Sequence, residues 1–140
     1  MNKPPTCISL TWTSGLAFRV DAADARTIIS DGNSREGLSP VELLAAATAS
    51  CMAVDLVHIL TKGRQPVEAL SVNFTGERAQ SEPHRLTAVR LEFTIEGAVA
   101  QAQVDRAIQL SRDKYCSVWN SLREDTTLEV VTHIHASPAP

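Results

Sequence analysis

Several motifs that would indicate a particular chemistry are absent from this 140-residue sequence. It contains no C-x-x-C pair, no H-E-x-x-H zinc motif, no glycine-rich phosphate loop and no G-x-S-x-G nucleophile motif. These absences argue against a dinucleotide-binding enzyme, a nucleoside triphosphatase and a serine hydrolase. We therefore predict no cofactor and no resident metal.

Strong charge and long apolar runs are also missing. The formal net charge is -3, so the sequence gives no reason to expect nucleic acid or an anionic membrane as a partner. The N-terminal segment lacks the apolar stretch of a signal peptide, and the most apolar window, residues 41 to 60, is interrupted by Glu42, Asp55 and His58. We expect a cytoplasmic protein whose three cysteines form no structural disulfide framework.

Aromatic residues make up only 4% of the chain, so a core must rely on aliphatic side chains and alanine. The length suits one domain, residues 1–140, with a frayed tail over 136–140. Period-two alternation predicts an N-terminal hairpin turning at Gly15, a short strand near residues 26–29, a second hairpin over 70–97 and a last strand over 128–135. A helical pattern covers residues 101–122.

A long Ala-rich helix is predicted over residues 40–62. Ser39 and Glu42 match the S-x-x-E capping box, Pro40 suits the first helical position, and Gly63 supplies a stop. Its small side chains would let another backbone approach closely, so we expect the helix to be buried. Adjacent hairpins with a long helix between sheet segments indicate an α+β fold.

The three cysteines carry different expectations. Cys7 has nothing chemical beside it and is interpreted as a packing residue. Near Cys116, the cations Arg112 and Lys114 would lower the thiol pKa, and a helix break near Asp113 would add the dipole of a following short helix.

Cys51 lies on one helical face with Asp55 and His58. Asp55 disfavours a thiolate and a protonated His58 favours it, so the local sequence does not decide whether Cys51 is reactive. His133 and His135 share a strand face and could bind zinc together with a cysteine or carboxylate, but an exposed edge face is the simpler interpretation.

Three segments together resemble the OsmC/Ohr family of thiol-dependent proteins. They are "GLSPVELLAAATASCMAVDLVHIL", "GERAQSEPHRLTAVRLEFTIEG" and "RAIQLSRDKYCSVWNSL", in the family's order and spanning about residues 37–122. The resemblance implies an OsmC-like α+β fold: an N-terminal sheet, a long central helix, a β-hairpin, a C-terminal helix and a final strand. It also implies an intertwined homodimer with active sites at the dimer interface.

The resemblance further implies an enzyme that reduces organic hydroperoxides. Cys51 would be the peroxidatic thiol, and Cys116 would resolve its sulfenic acid as a disulfide. A dithiol such as dihydrolipoamide would then reduce that disulfide. The alternative is a dimer of the same fold that binds a small apolar or thiol-reactive ligand at the interface cleft without turnover.

The chain departs from the hydroperoxide-resistance branch of this family at one position. That branch has a carboxylate directly after the helix-starting proline, paired with an arginine that steadies the thiolate, whereas this chain has Val41 there and Glu42 one residue later. Glu42 is turned from that position by about 100°. We assign Glu42 and Arg19 to the site as the nearest equivalents, with Arg35 as the second choice of arginine.

Overall fold

A computed structural model describes residues 2–136 of the chain. Of the predicted tail, only Ala136 is described, and residues 137–140 lie outside the described part. The residues group into two compact units that divide between Leu44 and Ala45. The expectation of one domain over the whole length stays a prediction.

The first unit contains an antiparallel sheet of three strands, β1 (Ile8–Ser14), β2 (Ala17–Ala22) and β3 (Thr27–Asp31), with β2 in the middle. The hairpin turns at Gly15, whose φ of 53° is left-handed, as predicted. Every residue of β1 is exposed. The loop after β3 is organised by Asp31, whose carboxylate accepts backbone N–H bonds from Asn33, Arg35 and Glu36.

The long helix, α1 (Pro40–Lys62), begins and ends where the sequence predicts. Its buried face consists of Thr48, Ala49, Met52, Leu56 and Leu60, whereas the opposite face is exposed. The expectation of a wholly buried helix is therefore wrong for a single chain. By length and composition α1 would also suit a membrane span, with a mean hydropathy of 1.8, but a core helix passes the same test.

The second unit holds a mixed sheet of β4 (Val67–Arg78), β5 (Leu86–Gly97) and β6 (Thr127–His135), with β5 in the middle. β4 and β5 form the predicted antiparallel hairpin, and β6 runs parallel to β5. A parallel neighbour requires a crossover, which helix α2 (Gln101–Leu110) supplies together with a π-helical turn, Ser111–Tyr115, and a 3-10 turn, Trp119–Ser121.

The core of the second unit lies between α1, β5 and α2. The alternate residues of β5 predicted to share one face are all at most 2% exposed: Val89, Leu91, Phe93 and Ile95. Each such side chain contributes about 1.5–3 kcal/mol relative to an exposed position. They share one cluster with Met52, Leu56 and Leu60 of α1 and with Val104 and Ala107 of α2. This packing fixes the helix that carries Cys51.

Candidate thiol site

Helix α1 places Cys51 at its middle, half-buried, directly before the fully buried Met52. Asp55 follows one turn later and is also half-buried. The buried neighbours Met52 and Leu56 fix the rotation of the helix about its axis, so the positions of the thiol and the carboxylate are set by core packing. Cys51 is thus reachable from solvent and still held by a rigid element.

Cys116 is positioned by the end of the second helix. α2 stops at Leu110, the π-helical turn follows, and Cys116 comes next with an extended backbone at φ -73° and ψ 98°. Its N–H donates to the Ser111 carbonyl at 2.8 Å, the i-to-i+5 bond that closes the π turn. The Cys116 side chain is fully buried.

The fold brings these two cysteines together although they are 65 positions apart in sequence. The Cys51 thiol is a close neighbour of the Cys116 thiol and adds to the rise of its pKa. Both are free thiols rather than a disulfide. One is half-exposed and the other is buried, so a reagent from solvent meets Cys51 first.

The environment of Cys116 favours the protonated thiol. Burial is the main cause and raises the pKa of Cys116 to about 11, against an ordinary value of 9.0. The Trp119 N–H bond opposes the rise, whereas the Cys51 thiol and the Asp55 charge add to it. The sequence-based expectation of a lowered pKa is therefore wrong, because Cys116 precedes the 3-10 turn instead of lying within a helix, and burial dominates.

The loop after Cys116 is held by hydrogen bonds to the cysteine itself. The Trp119 backbone N–H donates to Cys116 Sγ at 3.3 Å. The Asn120 side-chain amide donates to the carbonyl oxygens of Cys116, at 2.8 Å, and of Arg112, at 3.1 Å. Lys114 lies over the Tyr115 ring, 5.2 Å from its centroid. The segment is thus fixed locally around the thiol.

The other residues predicted for the site have partners of their own. Glu42 closes the capping box: its Oε1 accepts from the Ser39 N–H at 3.0 Å and from Ser34 Oγ at 2.9 Å, and its own N–H donates to Ser39 Oγ. These bonds hold the pKa of Glu42 below its usual value. Arg19 pairs with Asp21 at 2.9 Å. A role for either residue at the thiols stays a prediction.

Two further expectations can be compared with the structure. Cys7 is exposed, so its interpretation as a packing residue is wrong: it precedes a strand whose residues all face solvent. His133 and His135 are both exposed on β6, and His133 Nε2 lies 2.9 Å from Glu92 Oε1. Within residues 2–136, no group of three or more His, Cys, Asp or Glu is placed to hold a metal ion.

Sequence reasoning missed two residues that hydrogen-bond to Cys116, Ser111 through its carbonyl oxygen and Trp119 through its N–H. Ser111 stands in the polar run "SRDKY", which reads as exposed, yet it is fully buried and donates through Oγ to Asp55 Oδ2 at 2.7 Å. Trp119 contributes its backbone, which no sequence pattern reports. The pairing of Ser111 with Asp55 depends on a contact across 56 positions and has no local signal.

The chain matches the family model of the OsmC-like proteins over residues 31–131. Protein YhfA of Escherichia coli K12 is 41% identical over 109 residues, which is 76% of this chain and 81% of YhfA. A crystal structure of a hypothetical protein from Aquifex aeolicus VF5 superimposes with a TM-score of 0.89 at 26% identity, over 97% of this chain and 100% of that one.

An organic hydroperoxide resistance protein OsmC from Legionella pneumophila has the same fold, with a TM-score of 0.65 at 16% identity. The match covers 94% of this chain and 98% of the Legionella chain. At that identity the likeness concerns the fold alone.

Proposed function

The chain belongs to the OsmC-like family, and we propose that it is a thiol-dependent peroxidase that reduces organic hydroperoxides. The observation that carries the proposal is that the Cys51 and Cys116 thiols are close neighbours, near enough for one to act on the pKa of the other. A sulfenic acid is recovered reversibly only when a thiol captures it before further oxidation. A second thiol close to the first meets that requirement.

The reaction uses both thiols in order. The Cys51 thiolate attacks the outer peroxide oxygen, the O–O bond breaks, and the alcohol leaves with a proton while Cys51 becomes a sulfenic acid. The Cys116 sulfur then attacks the Cys51 sulfur, forming the disulfide and releasing water. An external dithiol of the lipoyl type reduces the disulfide by thiol–disulfide exchange. A reducing compartment such as the cytoplasm suits this cycle.

Exposure and protonation support this assignment of roles. Cys51 is the more accessible thiol, so it is the one that a peroxide reaches. Cys116 is buried and its raised pKa keeps it protonated at neutral pH, which suits a thiol that waits for the sulfenic acid. The reverse assignment would require the peroxide to reach a fully buried sulfur.

We propose a homodimer in which the exposed face of α1 packs against a second copy. Val54 is 66% and Val57 42% exposed on this face, and they line a shallow apolar depression of about 570 Å³ with Ser50, Ala53, His58 and Thr61. A contiguous apolar face that is exposed on a helix whose other face is already buried indicates an interaction surface. The small residues among them allow close approach of a second helix.

The substrate class follows from the relatives as part of the same proposal. The Legionella protein of this fold is named for organic hydroperoxide resistance, and we extend that class to this chain. An organic tail needs apolar surface near the peroxidatic thiol, and α1 offers apolar side chains on the turns around Cys51. We therefore expect cumene hydroperoxide to oxidise the protein faster than hydrogen peroxide does.

The test is thiol titration with intact-mass measurement on the reduced protein, after stoichiometric cumene hydroperoxide or hydrogen peroxide. We expect the loss of two thiols and about two mass units per chain, as one disulfide requires. Cys51→Ser should abolish the reaction, and Cys116→Ser should stop it at the sulfenic acid, trapped with dimedone. Cys7→Ser is the matched control and should react as the unmodified chain does. Survival of all three thiols in a folded protein would refute the proposal.

A second candidate function has one observation in its favour. Glu42 is engaged in its capping box and Arg19 with Asp21, so the carboxylate and arginine expected to activate the thiolate both have other partners. This arrangement suits a dimer that binds a small apolar or thiol-reactive ligand without turnover. Ligand binding retained in Cys51→Ser, together with inert thiols in the unmodified chain, would favour this alternative.

A further inference from the structure

A hydrogen bond between Asp55 and Ser111 connects the two elements that carry the thiols. Ser111 Oγ donates to Asp55 Oδ2 at 2.7 Å, and the bond spans 56 positions of sequence. Asp55 lies one turn after Cys51 on α1, and Ser111 opens the π-helical turn that directly precedes Cys116. Neither residue takes part directly in the proposed reaction of the two thiols.

Ser111 uses two of its polar atoms to relay this connection. Its side chain donates to Asp55, and its carbonyl oxygen accepts the Cys116 N–H at 2.8 Å. Ser111 is fully buried, so water does not compete for either bond. The chain of contacts therefore runs from the helix of Cys51, through Asp55 and Ser111, to the backbone of Cys116.

Asp55 also acts on Cys116 through its charge. Burial is the largest cause of the raised pKa of Cys116, and the negative charge of Asp55 adds to it. An anionic neighbour disfavours a second anion, so the carboxylate opposes the Cys116 thiolate. The two effects of Asp55 are separable, because the hydrogen bond needs only an acceptor atom whereas the electrostatic effect needs the charge.

We propose that Asp55 and Ser111 are positioning residues that set how fast Cys116 closes the disulfide with Cys51. The hydrogen bond holds the Cys116 segment against α1 and speeds closure, while the carboxylate charge keeps Cys116 a thiol and slows it. The proposal rests on the proposed function for its biological context, but the closure step itself can be measured without a peroxide.

Two substitutions separate these effects and predict changes of opposite sign. Ser111→Ala removes the hydrogen bond and leaves the charge, so closure should slow by about tenfold, the lower end of what a hydrogen bond to a charged group contributes. Asp55→Asn removes the charge and keeps an acceptor for Ser111 Oγ, so closure at pH 7 should accelerate severalfold, since one pKa unit is a tenfold change in thiolate at neutral pH. A merely structural role would slow closure in both variants.

The experiment uses the full chain in a Cys7→Ser background, so that only the two thiols are counted. Closure is started with oxidised glutathione, which forms a mixed disulfide with Cys51 and releases one glutathione. Cys116 then displaces the second glutathione as the intramolecular bond forms. Acid quenching and mass spectrometry follow the mixed disulfide and its decay. A parallel series starts closure with cumene hydroperoxide.

The matched controls are Ser117→Ala, an exposed serine beside Cys116, and Asp105→Asn, an exposed aspartate on α2 that contacts Gln101. Both should close at the unmodified rate. Equal rates in all four variants, or slowing in both Ser111→Ala and Asp55→Asn, would overturn the inference. If Ser111→Ala does not fold, the Asp55→Asn arm still decides, once near-UV circular dichroism shows that this variant keeps the fold of the unmodified chain. This check is needed because exposure of Cys116 would by itself lower the pKa of its thiol.

The two series also separate this inference from the proposed function. Closure with glutathione but no reaction with the hydroperoxide would refute the peroxidase and leave the positioning effect measured. Normal peroxide reduction with unchanged closure rates in the two variants would support the peroxidase and refute the positioning role of Asp55 and Ser111.

Discussion

Trp119 donates its backbone N–H to the sulfur of Cys116 at 3.3 Å. Burial nevertheless raises the pKa of that thiol to about 11, and the hydrogen bond opposes the rise only in part. Since the unfolded chain has a thiol with the ordinary value of 9.0, the folded and unfolded states bind different numbers of protons between these two values.

The sign of the resulting pH dependence follows directly. Below pH 9 both states hold the proton and Cys116 has no effect on the pH dependence. Between pH 9 and 11 the unfolded state releases it first, so the free energy of unfolding should fall as pH rises. Urea unfolding of the reduced protein should show a steeper loss of stability across this range than Cys116→Ala does. Equal slopes would contradict the raised pKa.

A charged substitution on the exposed face of α1 should change the oligomeric state of the protein. Val54→Asp places a charge on the face that we propose packs against a second copy, and an unpaired buried charge there costs several kcal/mol. Sedimentation velocity should show a dimer for the unmodified chain and a shift toward monomer for the variant. Ala102→Asp, at an exposed position on α2, should remain dimeric. A folded monomer for the unmodified chain would refute the homodimer.

The capping box of α1 predicts separate effects on stability and on chemistry. Ser39→Ala removes the side-chain acceptor of the Glu42 N–H and should lower the free energy of unfolding by about 1 kcal/mol. Glu42→Gln retains an acceptor oxygen for the Ser39 N–H and should cost less. The Glu42 carboxylate is bonded to Ser34 and Ser39 within the capping box. We therefore expect the capping box to affect stability alone, so that the rate of Cys51 oxidation is unchanged in Ser39→Ala. A rate lost in Glu42→Gln alone would assign the carboxylate to the thiol chemistry.

We expect the position of Gly97, at the end of β5, to tolerate no side chain. Its φ is 138°, and a Cβ there would lie 2.1 Å from the Pro66 carbonyl oxygen. Gly97→Ala should therefore cost on the order of 3 kcal/mol, from backbone strain and from displacement of the neighbouring chain. Gly63→Ala is the matched control, because its Cβ would meet the nearest atom at 3.4 Å. Similar urea midpoints for the two variants would contradict the geometry.

The sequence predicts most of the fold because its signals are local. The capping box and Gly63 define α1 to the residue, and the alternation around Phe93 identifies the buried face of β5. The α+β fold and family were also predicted correctly. The exposure of one half of α1 was not predicted, since a pattern of small residues does not distinguish burial within one chain from burial against a second chain.

Three members of the thiol site were predictable: Cys51 and Cys116 through the family resemblance, and Asp55 through its helical spacing from Cys51. The environment of Cys116 depends on the π-helical turn, whereas the sequence pattern there is helical and offers a break near Asp113 only as a hypothesis. It depends also on burial, which the cations nearby in sequence gave no reason to expect. Ser111 was missed because its partner, Asp55, belongs to a distant element. Contacts of this kind arise from tertiary packing and leave no mark on neighbouring residues.

The π-helical turn also restricts the length of the chain. Removing one residue between Leu110 and Cys116 would restore α-helical spacing and rotate the cysteine by about 100°, with a shift of about 1.5 Å along the axis. We expect insertions to be tolerated in the loop between β4 and β5, whose ends meet in a hairpin, but not in the π-helical turn. Three residues of the turn are exposed, so we expect their types to vary freely: Asp113, Lys114 and Tyr115. The number of residues in the turn should not vary, because it sets the position of Cys116. A homologue with a gap at this point would need its second thiol elsewhere.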